Sequence, residues 1–203
     1  MGQIVLPLDL RRPGDATRIV VGTANAEVIE ALGRPESWPF RTAVLTGSPR
    51  SGKSLLARWF AAEGRGESID GADSVDETTL FHRWNRAQED GRPLLLVVNG
   101  ETWDIALPDL RSRMGAALQL RIGAPDDAMV AALIEAHAQQ RGLVLGEGAL
   151  TYLVPRTTRS FAAIERLVET IDRLSMERKV PATQSVWRDA LEAIEGPRQA
   201  RLL

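Results

Sequence analysis

The sequence predicts an α/β fold, a parallel sheet with helices on both faces, followed by a small all-helical lid domain. Three observations predict it. The pattern GSPRSGKS at residues 47–54 follows a short β-rich run and opens a helix, as phosphate-binding loops do. Apolar runs at residues 94–98 and 118–122 alternate with helical stretches, which is typical of a parallel sheet. Beyond residue 123 the apolar spacing is helical throughout.

Composition excludes several kinds of protein. The 203 residues contain no cysteine, so disulfides, thiolate zinc sites and thiol nucleophiles are excluded. The formal net charge of −2 argues against a broad nucleic-acid surface, and direct DNA binding is not expected. No apolar run approaches the roughly 20 residues of a membrane span, and the first residues do not resemble a secretion signal. We therefore expect a cytoplasmic protein with no membrane partner.

The loop at residues 47–54 has the residue types that phosphate binding needs. Glycines let backbone N–H groups approach a phosphate, and the helix that follows adds free N–H donors. Lys53 is expected to contact the terminal phosphates and Ser54 to ligate Mg²⁺. Lysine occurs only twice in the chain, at Lys53 and Lys179, which makes its presence in this loop informative. The expected nucleotide-binding residues are Gly47, Ser48, Pro49, Arg50, Ser51, Gly52, Lys53 and Ser54.

The first twelve residues form an apolar stretch that contains Pro7 and precedes any sign of a folded domain. The stretch permits two interpretations. An extended segment with Ile4, Leu6 and Leu8 fits an apolar groove of a partner. The same residues equally fit an edge strand or a cover over the domain's own core. The residues alone favour neither.

The α/β domain is predicted to cover residues 13–123. A short apolar turn leads to a helix that ends at Gly33, and the phosphate loop runs into the next helix. A weak strand end near residues 68–73 comes before another helix, and five consecutive apolar residues then predict a buried parallel strand. A short basic helix and an alternating strand complete the domain. The predicted helices are 25–33, 53–63, 76–90 and 107–114, and the main strands are 42–46, 94–98 and 118–122.

The helical domain is predicted at residues 124–196, with a loose tail at 197–203. Asp126 or Asp127 is expected to cap its first helix, and Gly142 to end it. A short helix follows at 147–154. The longest helix, at 160–178, has one continuous apolar stripe, and Thr183 is expected to cap the last one.

A phosphate loop on an α/β core followed by a small helical domain resembles the AAA+ proteins of the initiator branch, the DnaA family. The order of parts is most similar to the short Hda-like homologues, which lack a DNA-binding domain. Residues 18–25 resemble the family's adenine-side motif, which implies contacts from Val20 and Val21. Residues 107–114 resemble the helix that presents the family's arginine finger, which implies that role for Arg113. Residues 3–8 resemble the peptide that docks on the β sliding clamp, which implies contacts from Gln3, Ile4, Leu6, Pro7 and Leu8.

The resemblance favours clamp docking over self-covering for the tail. It implies ADP or ATP as cofactor, with Mg²⁺ held by Ser54 and Asp70. Asn99 lies where the family has a polar sensor, although it is equally a turn residue. Glycine stands at position 71, where the family has a second acid that activates water. Ala162 aligns with the lid arginine that contacts the nucleotide, and Arg159 is a weak substitute, so we expect weak or absent ATPase activity.

The function implied is negative regulation of DNA replication initiation. The chain would bind the β sliding clamp and, through Arg113, promote hydrolysis of ATP bound to DnaA. A homo-oligomer is compatible with the resemblance. The alternative is an autonomous AAA+ ATPase or loader acting in DNA replication, against which Gly71 argues.

Overall fold

The structure is a computed structural model that describes residues 19–195. The predicted clamp-binding residues Gln3, Ile4, Leu6, Pro7 and Leu8 lie outside the described residues. The described residues divide between Gly123 and Ala124 into two compact units, an α/β unit and a helical unit. None of the helices in residues 19–195 has the length and apolar character needed to cross a bilayer.

The α/β unit confirms the predicted fold class. Short 3₁₀ turns at Pro35–Ser37, Pro39–Arg41 and Ala72–Ser74 interrupt stretches that the sequence predicted as loop or strand end. The strands are β1 (Thr42–Gly47), β2 (Glu67–Asp70), β3 (Leu94–Val97) and β4 (Leu118–Ile122). The helices are α1 (Ala26–Leu32), α2 (Lys53–Ala62), α3 (Glu77–Glu89) and α4 (Pro108–Ala116).

The four strands lie in the order β2-β3-β1-β4, and all pairs are parallel. Because parallel strands run the same way, their carboxyl ends meet at one edge of the sheet. Only residues 63–66 separate α2 from β2, so no further strand lies between them. β2 and β4 are the two outer strands of the sheet.

Side chains alternate along each strand, so apolar side chains project from both faces of the sheet. Helices cover both faces. On one face, Leu94, Leu96 and Val98 pack in a cluster with buried residues of α3 and α4, such as Leu80 and Leu110. On the other face, α2 packs along β2 and β3. All four residues of β3 are buried, as the continuous apolar run predicted.

The helical unit contains α5 (Asp127–Arg141), α6 (Ala149–Leu153), α7 (Phe161–Arg178) and α8 (Gln184–Glu195). Asp126 caps α5, because its Oδ1 accepts a hydrogen bond from the Met129 N–H at 2.8 Å. The predicted stripe of α7 is buried in the core of this unit, with Ile164, Leu167 and Ile171 almost fully covered. A short 3₁₀ turn, Val154–Arg156, follows α6.

The end of α7 carries a residue that is poorly suited to its backbone. Lys179 lies in the left-handed region, at φ 54° and ψ 42°, where a side chain is strained and glycine is not. Lys179→Gly is therefore expected to raise the free energy of unfolding by about 0.5–1 kcal/mol. Chemical denaturation followed by circular dichroism measures this change. A decrease in stability would show that the Lys179 side chain makes a compensating contact.

Candidate functional site

The phosphate loop follows β1 at the carboxyl edge of the sheet. A Cβ at Gly47 would lie 3.1 Å from the Cβ of Ile122 and 3.2 Å from the Ser51 Oγ, so the loop has no room for a side chain there. Gly52 precedes α2 with a φ of 89°, a conformation that other residues rarely adopt. The two motif glycines are thus needed for packing and for the turn into the helix.

Lys53 is the buried cation of this loop, with only 7% of its surface exposed. Its Nζ donates hydrogen bonds to the Gly47 carbonyl at 2.6 Å and to the Ser48 carbonyl at 3.0 Å. Burial lowers the pKa of Lys53, and the negative charges of nearby acidic residues oppose that change. These residues are Asp70, Asp73 and Glu101.

The residues present fit a phosphate group. The Ser51 Oγ is buried and has no hydrogen-bond partner within residues 19–195, and buried hydroxyls normally have one. The ten-residue helix α2 begins at Lys53 and directs its first N–H groups toward the loop. Pro49, Arg50 and Ser54 are exposed. The arrangement is able to bind an anion between the loop backbone, the start of α2 and Lys53.

Two further loops lie at the same edge, after β2 and β3. Asp70 ends β2 and is exposed. The Asp73 Oδ1 accepts hydrogen bonds from the Asn99 backbone N–H at 3.0 Å and from the Asn99 Nδ2 at 2.9 Å. The Asn99 Nδ2 also donates to the Ser74 Oγ at 3.2 Å. Asn99 thus ties the two loops together beside the phosphate loop.

Gly71 occupies the position where the resemblance leads us to expect a second acid. Its φ is 68°, in the left-handed region that favours glycine. A carboxylate at this position would need a strained backbone. The turn after β2, as the structure has it, therefore favours glycine at position 71.

Val20 and Val21 belong to a turn that Asn25 organises. The Asn25 Oδ1 accepts from the Gly22 N–H, and its Nδ2 donates to the Val20 carbonyl, both at 2.9 Å. The Gly123 N–H donates to the Ala24 carbonyl at 2.9 Å, which attaches the turn to the end of β4. Because β4 ends beside Gly47, the two valines lie at the same edge as the phosphate loop.

Arg113 lies in the last turn of α4 and is half-buried. The centre of its guanidinium lies 4.2 Å from the centroid of the Trp84 ring and 4.8 Å from that of Phe81. Within residues 19–195, no hydrogen bond or ion pair joins the Arg113 side chain to another residue, and its contacts are with the two rings. We call Phe81 and Trp84, which both belong to α3, the aromatic shelf.

The aromatic shelf lies at the amino edge of the sheet, opposite the phosphate loop. The Trp84 Nε1 donates to the Oγ1 of Thr42, the first residue of β1, at 3.1 Å. Gly47 is the last residue of β1, and the rest of the loop follows it. At about 3.3 Å per residue, roughly 16 Å of strand separates the two ends. Arg113 is therefore remote from the phosphate loop of its own chain.

Arg159, the weak substitute for the lid arginine that contacts the nucleotide, makes its contact within the helical unit. Arg159 forms an ion pair with Asp127 in the helical unit, at 2.8 Å, with both side chains more than half exposed. Within residues 19–195, no group of three or more His, Asp or Glu side chains is placed to hold a metal ion.

Sequence reasoning missed two features of these sites. The helical spacing of Phe81 and Trp84 suggests core residues, but of the two only Trp84 is buried and Phe81 is half-buried. Aromatic residues three apart on α3 signalled a shared face, but the sequence does not show that an arginine from α4 covers it. Asn25 signalled a helix start, whereas its side chain makes no cap bond and instead holds the preceding turn.

The sequence is similar to known proteins over part of its length. The family model "Hda, lid domain" matches residues 126–184. The replication initiator DnaA of Thermus thermophilus is 29% identical over 133 residues, which are 64% of this chain and 30% of DnaA. The chain thus spans under a third of the length of these curated relatives.

Solved structures have the same fold. Domain III of the Thermotoga maritima replication initiation protein DnaA has a TM-score of 0.70 at 14% identity, with 88% of this chain and 95% of that chain covered. The FIGL-1 AAA domain in complex with ADP has a TM-score of 0.59 at 14% identity, with 85% and 82% covered. The chain is thus similar to the Hda lid domain over residues 126–184 and to DnaA over 133 residues, and it has the fold of these AAA+ structures.

Proposed function

We propose that this chain is a negative regulator of DNA replication initiation that promotes hydrolysis of ATP bound to DnaA. Its N-terminal segment docks on the β sliding clamp, and Arg113 acts as an arginine finger toward a nucleotide held by DnaA. The likeness to DnaA supports DnaA as the target, because AAA+ domains of one family present similar surfaces to each other.

The position of Arg113 is the single observation that carries the proposal. Its guanidinium stacks on Trp84, which donates a hydrogen bond to Thr42 at the amino edge of the sheet, whereas the chain's own phosphate loop lies at the carboxyl edge. A finger at this place does not contact the nucleotide of its own chain. An arginine that serves a second molecule stabilises the charge that develops on a phosphoryl group in transfer.

The chain's own nucleotide site supports a structural ligand better than a fast ATPase. Residues 47–54, with Lys53, would hold the phosphates of ADP or ATP, and Val20 and Val21 would lie beside the base. Ser54 and Asp70 would hold Mg²⁺ together with phosphate oxygens. Gly71 provides no acid to activate water, and Asn99 is engaged with Asp73. Nucleotide would therefore act mainly on folding and on partner binding.

The proposed function is tested on DnaA that has been loaded with radiolabelled ATP. The conversion of bound ATP to ADP is followed with the clamp on DNA, with and without this chain. We expect the chain to accelerate the conversion only when the clamp is present. Equal acceleration without the clamp would contradict the tethering role, and no acceleration in either case would contradict the proposed function.

The clamp segment permits a separate prediction. Replacing Gln3 and Leu6 together by alanine is expected to weaken clamp binding about 10- to 100-fold, because an apolar anchor and a polar contact are both lost. Surface plasmon resonance with immobilised clamp measures the change. The matched control is Asp9→Ala, just beyond the peptide. Unchanged affinity of the double variant would refute the docking role.

A further inference from the structure

We propose that Phe81 and Trp84 are positioning residues for the arginine finger. They hold the guanidinium of Arg113 by its faces and leave its N–H donors available for a phosphate of the partner. This inference rests on the proposed function, because it concerns how Arg113 is prepared for a nucleotide that another molecule carries.

The geometry of the aromatic shelf indicates a site built to hold a cation. Phe81 and Trp84 are three residues apart on α3, which places them on one face of the helix. The Arg113 guanidinium lies within 5 Å of both ring centroids, well inside the range of cation–π attraction. Trp84 is itself fixed, since it is buried and its Nε1 donates to the Thr42 Oγ1.

Stacking holds an arginine without using its hydrogen bonds. The five N–H donors of a guanidinium lie in its plane, whereas the rings contact its face. The other stacked arginines in the described range use their donors locally. Arg65, over Trp59, donates to the Gly33 carbonyl at 3.0 Å, and Arg156, over Tyr152, donates to the Tyr152 carbonyl at 3.0 Å. Arg113 is stacked in the same way, but has no such partner within residues 19–195.

A held arginine is better prepared for catalysis than a free one. A long side chain loses rotamer freedom when it contacts a phosphate, and the aromatic shelf has already restricted Arg113. Planar donors in a fixed orientation also match the fork geometry of phosphate oxygens. Loss of one ring is therefore expected to lower the maximal stimulated rate of hydrolysis while the interface itself stays intact.

The test compares Phe81→Leu with Phe81→Tyr in the assay of DnaA-bound ATP. Leucine keeps an apolar side chain and removes the ring, whereas tyrosine keeps the ring face. We expect Phe81→Leu to lower the maximal rate about 2- to 5-fold, with no change in the concentration that gives half-maximal stimulation. Phe81→Tyr is expected to restore the rate. Tyr152→Leu, which removes the ring under Arg156, is the matched control and is expected to behave as wild type.

The outcomes separate this inference from the proposed function. If Arg113→Ala is inactive but Phe81→Leu reaches the wild-type maximal rate, the positioning role is overturned and the finger stands. If Arg113→Ala stimulates normally, the proposed function fails and the inference fails with it. If Phe81→Leu unfolds, Phe81→Met removes the same ring with a more adaptable side chain. A wild-type maximal rate in Phe81→Met likewise overturns the positioning role.

Discussion

Arg113→Ala is expected to abolish the stimulated hydrolysis of DnaA-bound ATP. Arginine fingers supplied by a second molecule raise phosphoryl-transfer rates by about 10³–10⁵, and the loss should be of that order. Alanine removes the charge that stabilises the transition state, while the core that supports it stays in place, because the Leu110 and Met114 side chains of α4 are buried independently of Arg113. Single-turnover conversion of ATP on DnaA, with clamp-loaded DNA, measures the effect.

Two controls make this result specific to the finger. Clamp binding by Arg113→Ala should remain close to wild type, since the N-terminal segment is untouched. Its melting temperature should also stay close to wild type, because the buried residues of α4 are unchanged. Arg173→Ala removes another arginine, one that is more than half exposed and paired with Glu177 in the helical unit, and should stimulate normally. Normal stimulation by Arg113→Ala would show that the role assigned to Arg113 is wrong.

Lys53→Met is expected to weaken the binding of ADP and ATP about 100- to 1,000-fold. The ammonium would contribute charged hydrogen bonds to the phosphates, and each is worth about 1.5–3 kcal/mol. Calorimetric titration with Mg²⁺ and each nucleotide measures the affinity. The rise in melting temperature that nucleotide produces in the wild type should disappear in the variant.

The Lys53→Met variant should remain folded although it does not bind nucleotide. Burial lowers the pKa of Lys53 from its ordinary value of 10.5. Lys53 therefore binds its proton more tightly in the unfolded state than in the folded state. The charged Lys53 therefore costs stability at neutral pH, and this cost shrinks as the pH rises toward 10.5. Methionine removes the charge and the two bonds to loop carbonyls together, so the free energy of unfolding should stay within about 1 kcal/mol of wild type.

Lysine at position 179 provides the matched control for Lys53. Lys179→Gly removes the other lysine, in the helical unit, and should bind nucleotide normally. Unchanged ADP affinity in Lys53→Met would show that the loop is not the phosphate site. ATP turnover by the isolated chain that Lys53→Met removes would favour the alternative of an autonomous ATPase or loader.

The sequence alone determined the fold class and the elements at the carboxyl edge of the sheet. The phosphate loop at residues 47–54 is recognisable because the glycine spacing and one lysine encode a local conformation. The run at residues 94–98 predicts a buried strand because a strand covered on both faces needs apolar side chains at every position. The sequence also indicates the end of β2 near Asp70, since an apolar residue is followed there by acidic residues. These signals lie within a few consecutive residues, where backbone preferences act.

Only the tertiary structure decided which groups meet. Arg113 and Phe81 are 32 positions apart, and no local preference encodes the contact of α4 with α3 that stacks them. The packing of two helices on one sheet face places them together, and the parallel order of the strands places them opposite the phosphate loop. In the same way, the Asn99 side chain, which the sequence left open between sensor and turn, meets Asp73 only because β2 and β3 are neighbours. Contacts between distant residues depend on the packed fold, and the sequence pattern reports only local conformation.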